Sequence, residues 1–180
     1  MGIFRKIAYI LFGITLSLVI LLTAVDIVTF NPNHYLKEYK KHDVITSTGM
    51  DMENLKLVTG GLLSYLKDNR DDLSIKAIIN GEKREVFGER EKLHMVDVKE
   101  LFIIGRWIRN IGLFAIISMI VFFIRKDKRW KGRISTTFLN MSFVNLGLIV
   151  TLFLMMHLDF RKYFDYFHYI FFDNDLWLLD

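Results

Sequence analysis

The sequence predicts an all-α polytopic membrane protein with three spans and a small α+β cap outside the cytoplasm. Three observations predict it. Long apolar runs at residues 7–25, 101–124 and 135–156 have the length needed to cross ~30 Å of hydrocarbon. Residues 31–100, between the first two runs, carry twelve Lys/Arg against thirteen Asp/Glu and so have almost no net charge. Eight of the other twelve basic residues gather at two short sites, Arg5-Lys6 and 125–133, where six basic side chains face one acid. Positive charge is retained on the cytoplasmic side of spans, so both sites are expected inside and residues 31–100 outside.

Composition narrows the class further. Of the 180 residues 52% are hydrophobic, and the mean hydropathy of +0.29 is high for a soluble domain. A net charge of +4 with a pI near 9.2 could suggest a nucleic-acid partner. The placement of the basic residues by topology removes that reason. The absence of cysteine excludes a disulfide, a thiolate nucleophile and a thiolate metal site.

The expected order begins with a cytoplasmic stretch at 1–6 and a first transmembrane helix at 7–30. Nineteen uncharged residues from Ile7 to Val25 exceed a signal-peptide h-region, and Thr23-Ala24-Val25-Asp26 offers no small-x-small cleavage site. This first span is therefore expected to stay uncleaved. Pro32, the single proline, breaks the chain just after the first span, at the start of the cap at 31–100. Within the cap, helices are expected at 34–42 and 51–67, the second weakened by Gly60-Gly61. Residues 74–79 and 83–87 should form a hairpin around Asn80-Gly81, a pair suited to a type I′ turn.

The second span is expected at 101–124, with Arg106 and Arg109 in its first half. Those two side chains either reach lipid phosphates or turn inward to bind an anionic or carbonyl-bearing group. A basic loop at 125–134 follows, then a third span at 135–157. Its polar residues Thr137, Asn140, Ser142, Asn145 and Thr151 are read as interhelical packing. An aromatic segment at 158–180 returns to the outer side, where most of its rings suit a membrane interface.

One stretch stands out chemically. Read as a helix, Glu89–Glu100 places Glu91, His94 and Asp97 on one face at i, i+3, i+6, so Asp97 can orient the His94 imidazole. A histidine so held can act as a base near neutral pH, although a solvated juxtamembrane helix would show the same pattern. Late in the chain, His168 sits among aromatic residues. His157 is its alternative, whereas His34 and His42 read as surface residues. Histidines and a carboxylate on one side could also hold zinc, but the sequence has no HExxH-type pair, so no metal and no cofactor is expected.

These residues also carry a resemblance. Glu91-x-x-His94-Met95-x-Asp97-Val98-Lys99 and Phe167-His168-x-x-Phe171-Phe172-x-Asn174-Asp175-x-Trp177 resemble two signatures of the lipoprotein intramolecular transacylase (Lit) family. Asn33-His34-Tyr35-x-x-Glu38-Tyr39 and the order of spans fit as well. Members of that family typically continue beyond the late Trp-x-Leu-Asp with proline, acidic residues and a fourth span, whereas this sequence ends at Asp180.

The resemblance implies an acyltransferase of a Gram-positive plasma membrane, acting at its outer face. Its substrates would be diacylglyceryl lipoproteins within a membrane of ordinary lipids. Their sn-2 acyl chain would pass to the α-amino group of the N-terminal cysteine. His94 and Asp97 would serve as base and orienting carboxylate, and His168 as acid at the same cavity. Asn174, Arg106 and Arg109 would bind the substrate or its oxyanion. The rival reading is a non-enzymatic membrane sensor or accessory protein with an outer binding domain.

Overall fold

The structure, a computed structural model, describes residues 2–178. It is mainly helical, with α1 at Ile3–Thr29, α2 at Pro32–Lys41, α3 at Val44–Thr48, α4 at Met52–Leu66, α5 at Glu89–Lys126, α6 at Trp130–Leu158 and α7 at Phe160–Phe171. Two antiparallel strands, β1 at Lys76–Ile79 and β2 at Glu82–Glu85, form the sheet found among the described residues. Helices α1, α5 and α6 are long and apolar enough to cross a membrane. The chain divides into two compact units, residues 2–23 with 106–173, and residues 24–105 with 174–178.

The first unit holds most of α1, the second half of α5, and all of α6 and α7. Its core is Tyr9, Phe12 and Val19 of α1 against Ile116 and Phe123 of α5. Water is absent between apolar helices in lipid, so close backbone approach must supply the contact energy. Glycine allows it. A Cβ at Gly112 would lie 2.6 Å from Val19 Cγ2, and one at Gly13 would lie 2.7 Å from Met141 Cγ. Asn145 Nδ2 donates to Ser17 Oγ at 2.9 Å, so this polar group of the third span does join two helices. At one end of the unit, the buried Asp127 carboxylate accepts from the Tyr9 hydroxyl at 3.0 Å, the Arg129 backbone N–H and the Arg133 guanidinium.

The second unit is built from α2, α3, α4, the hairpin and the first half of α5. Its hairpin has the expected register, with Ile79 opposite Glu82 and left-handed φ of 52° at Asn80 and 85° at Gly81. Positive φ at both central residues is the type I′ requirement, and glycine meets it without a Cβ clash. Ala77 and Ile79 of the buried strand face pack on Leu55 and Met50. Gly60 and Gly61 do not break α4, which runs unbroken to Leu66. A Cβ at Gly61 would meet Ile75 Cδ1 at 2.5 Å, so the absent side chain makes room for the segment before β1.

Two elements extend the sequence expectation. The charged stretch 89–100 and the second span form one uninterrupted helix of 38 residues, because no proline or capping residue separates them. The aromatic segment after the third span also folds as a helix, α7, whose N-cap Asp159 accepts from Lys162 N at 3.1 Å.

Candidate active site

Helix α5 positions the first group of candidate residues. At its start, Glu91 Oε2 accepts from the Gly88 N–H at 2.7 Å, satisfying a donor that the helix leaves unpaired. Glu91 thus caps the helix that carries His94. Lys92 reinforces the same turn, with Nζ 2.6 Å from Glu85 of β2 and 2.9 Å from Glu89. The Lys92 ammonium holds the Glu85 carboxyl below its ordinary value, and the two carboxylates raise Lys92 in return.

Further along α5, Met95, Val98 and Phe102 pack on the buried Tyr65, Leu66, Leu73 and Ile75. Lys99 turns to the end of α4, with Nζ 2.7 Å from Asp68, 3.2 Å from the Arg70 carbonyl and 4.6 Å from the centre of the Tyr65 ring. These contacts fix the rotation of α5 about its own axis. His94 and Asp97, both half-buried, therefore lie on a neighbouring face.

That second face receives residues 174–178. Asn174 Nδ2 donates to Asp97 Oδ2 at 2.8 Å, across 77 residues of sequence. Asn174 Oδ1 accepts from Leu176 N at 3.0 Å, and its carbonyl accepts from Trp177 Nε1 at 2.9 Å. The Trp177 ring is buried. Arg90 binds the same turn, with Nη2 donating to the Asp175 carbonyl at 2.5 Å and Nε to the Leu178 carbonyl at 3.2 Å. Arg90 lies in the charged stretch 89–100, where the sequence alone assigned it no role. Its spacing from His94 and Asp97, i, i+4 and i+7, was the available signal.

In the other unit, His168 occupies the last turn of α7 and is 8% exposed. The rings of Phe164, Phe167 and Phe172 surround it at centroid distances of 4.1, 5.3 and 5.7 Å. His168 Nδ1 lies 2.8 Å from the Phe164 carbonyl oxygen. A carbonyl only accepts, so Nδ1 carries hydrogen in either charge state and Nε2 is the nitrogen that can exchange a proton. Arg106 and Arg109 are half-buried on α5 in this unit, and Arg109 Nε approaches Asn110 Oδ1 at 3.5 Å. His157 is exposed beside Phe153, while His34 and His42 lie exposed on or beside α2 as expected.

The profile of the family described as "Lipoprotein intramolecular transacylase Lit" matches residues 10–180. A solved structure of the membrane integral lipoprotein intramolecular transacylase Lit from Bacillus cereus superposes with a TM-score of 0.78 at 17% identity. That similarity covers 100% of this chain and 78% of the other. Two further structures of the Bacillus cereus protein, with a histidine replaced by arginine or by alanine, each give a TM-score of 0.72 at 17% identity. They cover 97% of this chain and 73% and 74% of theirs. At that identity the likeness shows a shared fold. No curated protein sequence matches this one.

Proposed function

Because the chain belongs to the lipoprotein intramolecular transacylase family, Lit, over residues 10–180, we propose that it moves the sn-2 acyl chain of a diacylglyceryl lipoprotein to the α-amino group of that lipoprotein's N-terminal cysteine. The product is an N-acyl, lyso-form lipoprotein. The reaction takes place at the outer face of the plasma membrane.

The hydrogen bond from Asn174 to Asp97 carries this reading, because it joins the two signature stretches beside His94. Aminolysis of an ester needs a neutral amine, a base, a stabilised oxyanion and a proton for the departing alkoxide. An α-amino group has a pKa of roughly 7.7–8, so a base near neutrality is needed to draw on it. His94, oriented by Asp97, takes the amine proton as nitrogen attacks the ester carbonyl. Collapse of the tetrahedral intermediate breaks the bond to the sn-2 oxygen, and His168 delivers a proton to that oxygen from Nε2. The second amide hydrogen of Asn174, with Arg106 or Arg109, stabilises the oxyanion, an effect typically worth ~2.7–4 kcal/mol per donor.

Attack closes an eight-membered ring through N, Cα, Cβ, S, two glycerol carbons, the ester oxygen and the carbonyl carbon. Much of the rate must then come from holding one flexible lipid folded on itself. Donor and acceptor belong to one molecule, so the scheme requires neither a second lipid nor a cofactor.

Mass spectrometry of a lipoprotein's N-terminal peptide, with and without this protein, tests the reading. His94→Ala should abolish the diacyl-to-lyso conversion at normal protein level. Asp97→Asn should reduce it steeply, and chelators should leave the wild type active. Conversion that stops on chelation and returns with zinc would make His94 a ligand. Near-normal conversion by His94→Ala would make the histidine an interfacial residue and overturn its role as base, whereas no conversion by the wild type would favour the sensor or accessory reading.

A further inference from the structure

We propose that Arg90 is a positioning residue that holds the 174–178 turn across the face of α5 carrying His94, and so walls the base off from water. At 3.6 residues per turn, Arg90, His94 and Asp97 fall within an arc of about 60°. The arc is distinct from the stripe of Met95, Val98 and Phe102, which is spent on the core. Arg90 and Asp97 lie about 10 Å apart along the axis, with His94 between them.

Each end of the arc grips the same five residues. Asp97 accepts the Asn174 amide, and Arg90 donates to the carbonyls of Asp175 and Leu178 while Nη2 lies 3.2 Å from Asp175 Oδ1. The turn arrives already shaped, through Leu178 N to the Asp175 carbonyl at 3.0 Å and the Asn174 bonds to Leu176 and Trp177. A preformed turn bound at two points one helical turn either side of His94 must pass over it. Arg90 supplies three of the four tethers, using two nitrogens of one rigid guanidinium. Lysine, a single rotatable nitrogen, cannot span those acceptors with the same geometry.

The inference rests on the reading of His94 as a base only for its effect on rate; the wall itself can be measured without substrate. The full-length protein in detergent is treated with diethyl pyrocarbonate, and the acylated histidines are followed by peptide mass spectrometry. His42, exposed and remote in sequence, is the internal reference. Arg90→Met should raise His94 labelling roughly tenfold, the scale of losing hydrogen bonds to a charged group, with His42 labelling and the melting temperature unchanged. Arg90→Lys, which keeps the charge and safeguards folding, should fall between the two. Lipoprotein conversion by Arg90→Met should drop roughly tenfold or more, as misplacement of a catalytic group requires. Wild-type His94 labelling in both variants would overturn the proposal, as would a rise shared by His42 with a lowered melting temperature. Loss of His94 protection in Arg90→Met, with a wild type that itself converts no lipoprotein, would support the wall and refute the acyl-transfer reading.

Discussion

His94 and Lys92 show how much a residue's neighbours decide. The imidazole is two residues from an ammonium that serves structure: Lys92 links α5 to β2 through Glu85 and to its own first turn through Glu89. Hydrogen bonding to Lys92 depresses the Glu85 carboxyl from its ordinary 4.5. A depressed carboxylate contributes stability that is present above its unfolded value and is lost as pH falls through the lowered one. Backbone hydrogen exchange across β2 and the first turn of α5 should therefore quicken as pH drops below about 4.5, after correction for intrinsic rates. Lys92→Met should remove that acid step and give the faster exchange at pH 7 as well. The same step in Lys92→Met as in wild type would show that another group governs it. Both side chains remain partly exposed, so the effect should be modest and weaken with salt.

Among elements, the join of α1, α5 and α6 turns on a few polar groups set in apolar surroundings. Asp127, 5% exposed, gathers Tyr9 from α1, Arg133 from α6 and the backbone N–H that begins α6. Removing its carboxylate strands a buried hydroxyl and part of a guanidinium. Asp127→Ala should therefore cost about 1–3 kcal/mol, and Tyr9→Phe, which deletes one donor, about 0.5–1.5 kcal/mol. Thermal unfolding of the detergent-solubilised protein would measure both. Equal melting temperatures for wild type and Asp127→Ala would show that the three helices are held by packing alone, through contacts such as those at Gly13 and Gly112. The element scale also explains the length of α5. The helix runs unbroken from Glu89 to Lys126, and its first turns are rotated by Lys99 and the cap core.

For the whole molecule, we propose from the positive-inside rule that residues 31–100 lie outside and 125–134 inside. The chain has no cysteine, so single cysteines report without interference. A cysteine at Asn80, in the hairpin turn, should react with an impermeant thiol reagent applied from outside. One at Gly132, in the first turn of α6, should be protected until the membrane is opened. The reverse pattern would place His94 in the cytoplasm and remove the outer-face site. Three apolar helices, the hairpin at Asn80-Gly81 and the surface positions of His34 and His42 were legible in the sequence alone. Each depends on hydrophobic period, turn chemistry or charge within a few residues. The helical form of 89–100 and its i, i+3 spacing were legible for the same reason. Tertiary structure alone decided that Glu91 is spent on capping, that Asp97 receives Asn174, and that Arg90 holds the 174–178 turn. Those pairings bridge up to 88 residues. They follow from how α5 is rotated by its core contacts, a quantity that no local period encodes.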